Sequence, residues 1–218
     1  MFTAQWFRLG GSVAHYLIWR YVYQVGDWTQ AMDERQLKIR LRKCLKGDFE
    51  LLEEVQGIFP VDNSHVRIDF LARARKHVVD SKGFSHEWFV IEVKGLPNAD
   101  AANKGKNFAW QSVTYSQSRF ELTHGEVVRP IFVVMYPPID RFFDTHEIVN
   151  STTTKTFQQN AAFQLITFLE RSNVGSLNCR KGIWSFIFGT QCYCSKTSKG
   201  INSKLNFATK RNVGSLKA

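Results

Sequence analysis

Two stretches, His65-Val66-Arg67-Ile68-Asp69-Phe70 and Glu87-Trp88-Phe89-Val90-Ile91-Glu92-Val93-Lys94, decide how this chain folds. Both are rich in β-branched and aromatic residues, which favour strands. Side chains alternate between the faces of a strand, so Phe89, Ile91 and Val93 point one way while Val90, Glu92 and Lys94 point the other. The intervening Asp80-Ser81-Lys82-Gly83 reads as a hairpin turn. A turn there sets Asp69 across from Lys94 and one diagonal step from Glu92, at cross-strand separations of about 5–8 Å. Moving the turn by one residue keeps all three side chains on one face.

Two carboxylates on one sheet face repel each other and lose hydration, a cost that a cation between them relieves. Magnesium suits such a pair, because it takes oxygen ligands, keeps several waters and is commonly held by one or two carboxylates plus a phosphate. Asp69 and Glu92 would then hold Mg²⁺ or Mn²⁺, and the backbone carbonyl of Val93 could complete the protein ligands. Lys94 would orient an attacking water or offset developing charge. The chemistry expected of this pattern is metal-dependent phosphodiester hydrolysis.

Asp69 and the triplet Glu92-Val93-Lys94 resemble the first acid and the E-x-K element of the PD-(D/E)xK nuclease superfamily, with Ile68 where proline is usually written. Gln111-Ser112-Val113-Thr114-Tyr115 looks like the Q-x-x-x-Y element of its RecB-like and lambda-exonuclease-like branches. Four residues apart on a helix, Gln111 and Tyr115 share a face. An E-x-K triplet alone is also what a solvated strand with alternating charges carries. Here, however, it sits in an apolar strand, after a second apolar strand bearing one acid. The Q-x-x-x-Y helix follows, then a third strand at Pro130-Ile131-Phe132-Val133-Val134-Met135-Tyr136.

The resemblance covers about residues 48–136. It implies an α/β fold with a mixed central β-sheet flanked by helices, a restriction-endonuclease-like core. It also implies that Gln111 and Tyr115 support the active site and contact the nucleic-acid backbone, and that DNA is cut by exo- or endonuclease action. Members of the family often draw a further acid from the helix before the first core strand. Asp48 looks like the N-cap of that helix, with Leu51, Leu52, Val55, Ile58 and Phe59 as an apolar stripe. Glu54 borders the stripe and is the favoured additional metal ligand, whereas Glu53 points further toward solvent; the alternative is that both glutamates only solvate the helix.

The charge is unevenly placed. Residues 171–218 contain nine Lys or Arg and no acid, so nine of the ten net positive charges lie there, while the other 20 basic residues nearly balance all 19 acids. A one-signed segment favours a polyanion. Arg180, Lys181, Lys196, Lys199, Lys204, Lys210 and Arg211 are accordingly candidate nucleic-acid contacts, the alternative being a solvated tail. Apolar content drops after Tyr193, so residues 1–194 are expected to form one nuclease-like domain and 195–218 a flexible basic tail. Gly182–Gly189 reads as a strand closing that domain.

A chain of 218 residues with 44% hydrophobic content can bury a sizeable core without disulfides. No apolar run approaches the roughly 18–20 residues of a membrane span, and Met1–Arg8 lacks the pattern of a secretory signal, so a cytoplasmic protein is expected. Leu37, Leu41, Cys44 and Leu45 recur at helical spacing and read as a core helix over Gln30–Lys46, with Arg35, Lys38, Arg42 and Lys46 as a basic rim. A second core helix is expected at about Phe157–Arg171. Lys104 and Lys106, beside Gly105 in the loop before the Gln111 helix, could meet phosphates. Cys44, Cys179, Cys192 and Cys194 follow a one-plus-three order like that of iron–sulfur nucleases, but the spacing of the last three does not fit, and reduced thiols are expected. A non-catalytic binding protein on the same fold is the competing class, and RNA as substrate would need only the same ions and carboxylates. No coiled-coil repeat or symmetric patch fixes an oligomeric state.

Overall fold

Helix α1 (Glu34–Leu45) begins where Asp33 accepts the Gln36 amide at 2.7 Å, and it buries Leu37, Leu41 and Leu45 completely. That i, i+4, i+8 spacing puts the three leucines on one stripe. The computed structural model describes residues 33–96, 101–142, 168–169, 171–188 and 191–196. Most of the helix expected at 157–171, and Lys199, Lys204, Lys210 and Arg211 of the basic tail, lie outside the described residues.

After α1, strand β1 (Phe49–Phe59) pairs antiparallel with β2 (Ser64–Ala74), from Phe49↔Ala74 to Phe59↔Ser64. Residues 49–59 are therefore a strand, not the expected helix. The spacing of Leu51, Leu52, Val55 and Ile58 fits both periods in so short a segment. What decides between them is the turn at Pro60-Val61-Asp62-Asn63, where Asn63 takes φ +57° and Asp62 Oδ1 accepts the Ser64 amide at 2.9 Å. This turn folds β2 directly back along β1, so that the ladder satisfies the backbone of both.

A second expectation also changes. Asp80-Ser81-Lys82 is not a hairpin tip but the end of helix α2 (Lys76–Lys82), and Gly83, at φ +70°, caps it by donating its amide to the Val79 carbonyl. Glycine is favoured there because the left-handed cap carries a Cβ penalty for other residues. The longer connection to β3 (Phe89–Val93) sets the register Phe70↔Ile91, Leu71↔Val90 and Ala72↔Phe89. The ladder ends at Phe70↔Ile91, and beyond it Asp69 Oδ2 accepts the Val93 amide at 2.7 Å. Ile68 and Leu71, three residues apart, enter one buried cluster, so the expected alternation along β2 breaks at Asp69, and its nearest contact on β3 is the backbone between Glu92 and Lys94 rather than Lys94 itself.

Helix α3 (Ala101–Gln117) carries the chain from β3 to the parallel strand β6 (Val133–Tyr136), passing through the short antiparallel strands β4 (Arg119–Glu121) and β5 (Val127–Val128). Strand β7 (Val174–Arg180) is parallel to β6, and β8 (Ile183–Phe188) and β9 (Gln191–Cys194) complete an antiparallel meander. The order is β5-β4-β1-β2-β3-β6-β7-β8-β9, a nine-stranded mixed sheet flanked by helices. The fold is α/β, as the sequence implies.

Each side of the sheet has its own packing. Leu71, Val90 and Val133 join Phe108, Val113 and Tyr115 of α3 in one buried cluster. Residues of opposite parity enter an aromatic cluster in which Phe89 stacks on Phe132 at 4.6 Å and meets Phe49, Phe84 and Phe186 at their edges or at a tilt. Cys44, at the last turn of α1, hydrogen-bonds Cys179 of β7, and Cys44, Cys179 and Cys194 are free thiols. No helix among the described residues is long and apolar enough to cross a membrane.

Gly57 of β1 lies where β4 pairs alongside, opposite Phe120; a Cβ there would strike the Arg119 carbonyl and the Phe120 ring. Both obstacles are held by the sheet and the core, so Gly57→Ala should cost about 1–3 kcal/mol. The check is urea unfolding, where the midpoint falls with little change in slope; an unchanged midpoint would show that β4 can move aside.

Candidate metal centre

Asp69 and Glu92 are buried, at 8% and 4% exposure, although neither residue type is normally buried unless paired. Asp69 is held twice. One carboxylate oxygen, Oδ2, accepts the Val93 amide at 2.7 Å, and the other, Oδ1, pairs with the Lys38 ammonium. Glu92 has weaker support: Lys94 Nζ lies 3.9 Å from Oε1, and buried Oε2 has no hydrogen-bond partner among the described residues.

The environment separates the two acids. Burial pushes both upward. Asp69 is raised above the usual carboxylate range by burial, and the hydrogen bonds from Lys38 and Val93 oppose that shift. For Glu92 burial is reinforced by the Asp69 charge and only partly offset by Lys94, which raises its carboxyl to about 9. The two buried carboxyls therefore disfavour carrying both charges at once in the absence of a cation.

The expected support comes from α3. Tyr115 is buried, and its phenol is pushed upward first by burial and then by the charges of Glu92 and Asp69, so it stands within their field. One turn before it, Gln111 has a buried Oε1 with no hydrogen-bond partner among the described residues. Buried oxygens without partners are uncommon and need an explanation. Lys104 and Lys106 are exposed in the first turns of this helix rather than in a loop before it, because α3 already begins at Ala101.

Other candidates sit at varying places. Strands β3, β6 and β7 are parallel, with Val93↔Tyr136 and Met135↔Ser176 in register, so β7 runs on past the end of β3 in the same direction. Arg180 ends β7, and Lys181 is exposed at φ +49° in the β7–β8 turn. Lys196 is exposed just after β9.

Glu54 lies in β1 opposite Asp69, in the left-handed region at φ +52°, where a non-glycine residue is strained by about 1 kcal/mol. Its carboxylate pairs with Lys38 at 3.0 Å and Arg67 at 3.2 Å. Glu53 instead receives a two-pronged contact from Arg42, at 2.6 and 2.5 Å.

Helix α1 contributes what the sequence reading missed. Lys38, read as part of a basic rim, turns inward to Asp69, and Glu34 follows it at 3.3 Å. Lys38 follows Leu37 and precedes Leu41 by three, so it borders the buried stripe. That signal is visible in the sequence, but its meaning depends on which strand α1 covers.

Asp69 and Glu92 fit a hard cation. Both offer oxygen, the Asp69 charge is felt at Glu92, and Glu92 Oε2 has no hydrogen-bond partner among the described residues. The described residues gather no set of three His, Cys, Asp or Glu able to hold a metal by themselves.

Glu92→Gln tests the electrostatic cost. A carboxyl raised in the folded state binds its proton more tightly there than when unfolded, so wild-type stability falls as pH rises from about 4.5 through about 9. The glutamine variant lacks this loss. Without divalent ions it should equal wild type near pH 4 and exceed it by several kcal/mol, up to about 5, at pH 8. Thermal melts across this range would contradict the account if the variant were the less stable protein at pH 8.

With this geometry in hand, comparison with known proteins adds no relative: no protein family, curated protein or solved structure matches the chain.

Proposed function

We propose that this protein is a metal-dependent nuclease that hydrolyses DNA phosphodiester bonds on a restriction-endonuclease-like core. The observation that carries the reading is the buried pair Asp69 and Glu92, each within the other's field, with Lys94 3.9 Å from Glu92 and the Tyr115 phenol of α3 within the field of both. Ligand sites in sheets with parallel strands commonly lie beyond the strands' C-terminal ends, and Glu92-Val93-Lys94 occupies such an end.

Asp69, Glu92 and the Val93 carbonyl would hold Mg²⁺ or Mn²⁺. Bound there, the ion supplies an acidified water and neutralises phosphate charge. Lys94, a compact ammonium on a flexible stem, orients the attacking water and meets the charge that builds on the phosphoryl oxygens. Gln111 and Tyr115 place an amide and a phenol where they can hold the backbone in line. Lys104, Lys106, Arg180, Lys181 and Lys196 would add phosphate contacts that bind the backbone without reading sequence.

A second reading, a non-catalytic nucleic-acid-binding protein on the same fold, is favoured by one observation: Lys38 already answers the charge of Asp69. Metal separates the two readings. End-labelled linear and closed circular DNA, with RNA of matching sequence, would be incubated with Mg²⁺, Mn²⁺ or EDTA. The nuclease reading expects DNA cleavage only with the ions, reduced about a hundredfold or more in Glu92→Ala and Lys94→Ala. Circular substrate separates endo- from exonuclease action. Intact DNA in every reaction, with binding undiminished in EDTA, would establish the binding protein instead.

A further inference from the structure

The Asp69 carboxylate has two partners of different kinds. The Val93 amide belongs to β3 and cannot leave without opening the β2–β3 ladder. Lys38 reaches its oxygen on a four-carbon arm from α1, whose buried leucines fix the stem while the ammonium can swing. Three carboxylates, Glu34, Glu54 and Asp69, converge on this one ammonium, and the Arg67 guanidinium lies on the far oxygen of Glu54. Of the three, Asp69 is the buried one; Glu34 and Glu54 are nearly half exposed and mark a path from the site to its rim.

Resting on the metal-site reading above, we propose that Lys38 is the resident counter-ion of Asp69. A divalent cation reaches Asp69 by displacing that ammonium, which moves out along Glu34 and Glu54 to meet a nucleic-acid phosphate. The exchange is favoured by charge, because a dication answers the carboxylate cluster more fully than one ammonium does. It also couples two binding events. A phosphate that captures Lys38 removes the competitor for Asp69, so nucleic acid tightens metal binding, and by reciprocity metal tightens nucleic-acid binding. Lys38 is then a positioning residue whose location depends on what occupies the site. The strained backbone at Glu54 is consistent with this arrangement, since it turns that carboxylate toward Lys38.

The test is Mn²⁺ binding to the metal-free full chain by titration calorimetry, with and without a phosphorothioate DNA oligonucleotide that resists cleavage. Wild type, Lys38→Met, Lys38→Arg and Glu54→Gln would be compared, each checked for folding by circular dichroism. Wild type should bind Mn²⁺ about tenfold more tightly when the oligonucleotide is present. Lys38→Met should reach that tighter affinity without DNA and gain nothing further from it, whereas Lys38→Arg, which keeps a cation, should behave like wild type. Glu54→Gln loosens the hold on Lys38 without touching it, so it should also tighten Mn²⁺ binding and serves if the methionine variant does not fold. Equal or weaker Mn²⁺ binding in Lys38→Met, or weaker binding in Glu54→Gln, would overturn the exchange while leaving the metal site intact. Absence of Mn²⁺ binding in every protein would remove the metal-site reading itself, and the exchange with it.

Discussion

The hydrogen bond from the Val93 amide to Asp69 Oδ2 and the β2–β3 register that produces it govern the arrangement of this molecule. One residue of slip would send Asp69 to the other face of the sheet, into a cluster of aromatic rings where no cation waits. Just beyond the observed register two carboxyls share one buried site, and the surroundings divide between them. Asp69 takes the amide and the ammonium; Glu92, with one oxygen unsatisfied, is pushed toward its neutral form. Such an arrangement opposes stability, and proteins tolerate it mainly where function requires it.

The two faces of the sheet divide the labour. On the side of Phe49, Phe84, Phe89, Phe132 and Phe186, edge-to-face and stacked rings give the sheet a rigid backing. On the side of Val90 and Leu71, helix α3 closes over the sheet and brings Gln111 and Tyr115 toward the acids. Helix α1 reaches the same acids from another direction through Lys38. The stems of Lys38, Asp69, Glu92, Gln111 and Tyr115 are thus set on helices and strands, whereas Lys94 follows the end of β3.

Much of this was legible in the sequence, and the failures have physical causes. The strand Phe89–Val93 reads correctly because its apolar run is short and Glu92 shares one parity with Lys94 just beyond it. The helix bearing Gln111 and Tyr115 is read from the Q-x-x-x-Y element, but it begins at Ala101, earlier than that element alone shows. Residues 49–59 mislead, since leucines spaced by three and four residues suit a helix while a long two-stranded ladder can accept the same side chains. The Pro60–Asn63 turn was the better guide. Asp80–Gly83 misleads in the opposite sense, because a glycine in left-handed conformation ends helices and hairpin turns alike. Lys38 was out of reach of pattern reading: a lysine beside an apolar stripe is ordinarily solvated, and only the placement of α1 over the acidic end of the sheet turns it inward.

The account stands or falls on whether Asp69 and Glu92 together receive a divalent ion. The most direct measurement is the anomalous difference density of a crystal soaked in Mn²⁺, read at the manganese absorption edge. The account predicts one strong peak at coordination distance, about 2.1–2.3 Å, from an oxygen of each carboxylate, with Lys38 withdrawn from Asp69. A peak elsewhere on the surface, or none while the lysine stays on Asp69, would contradict it.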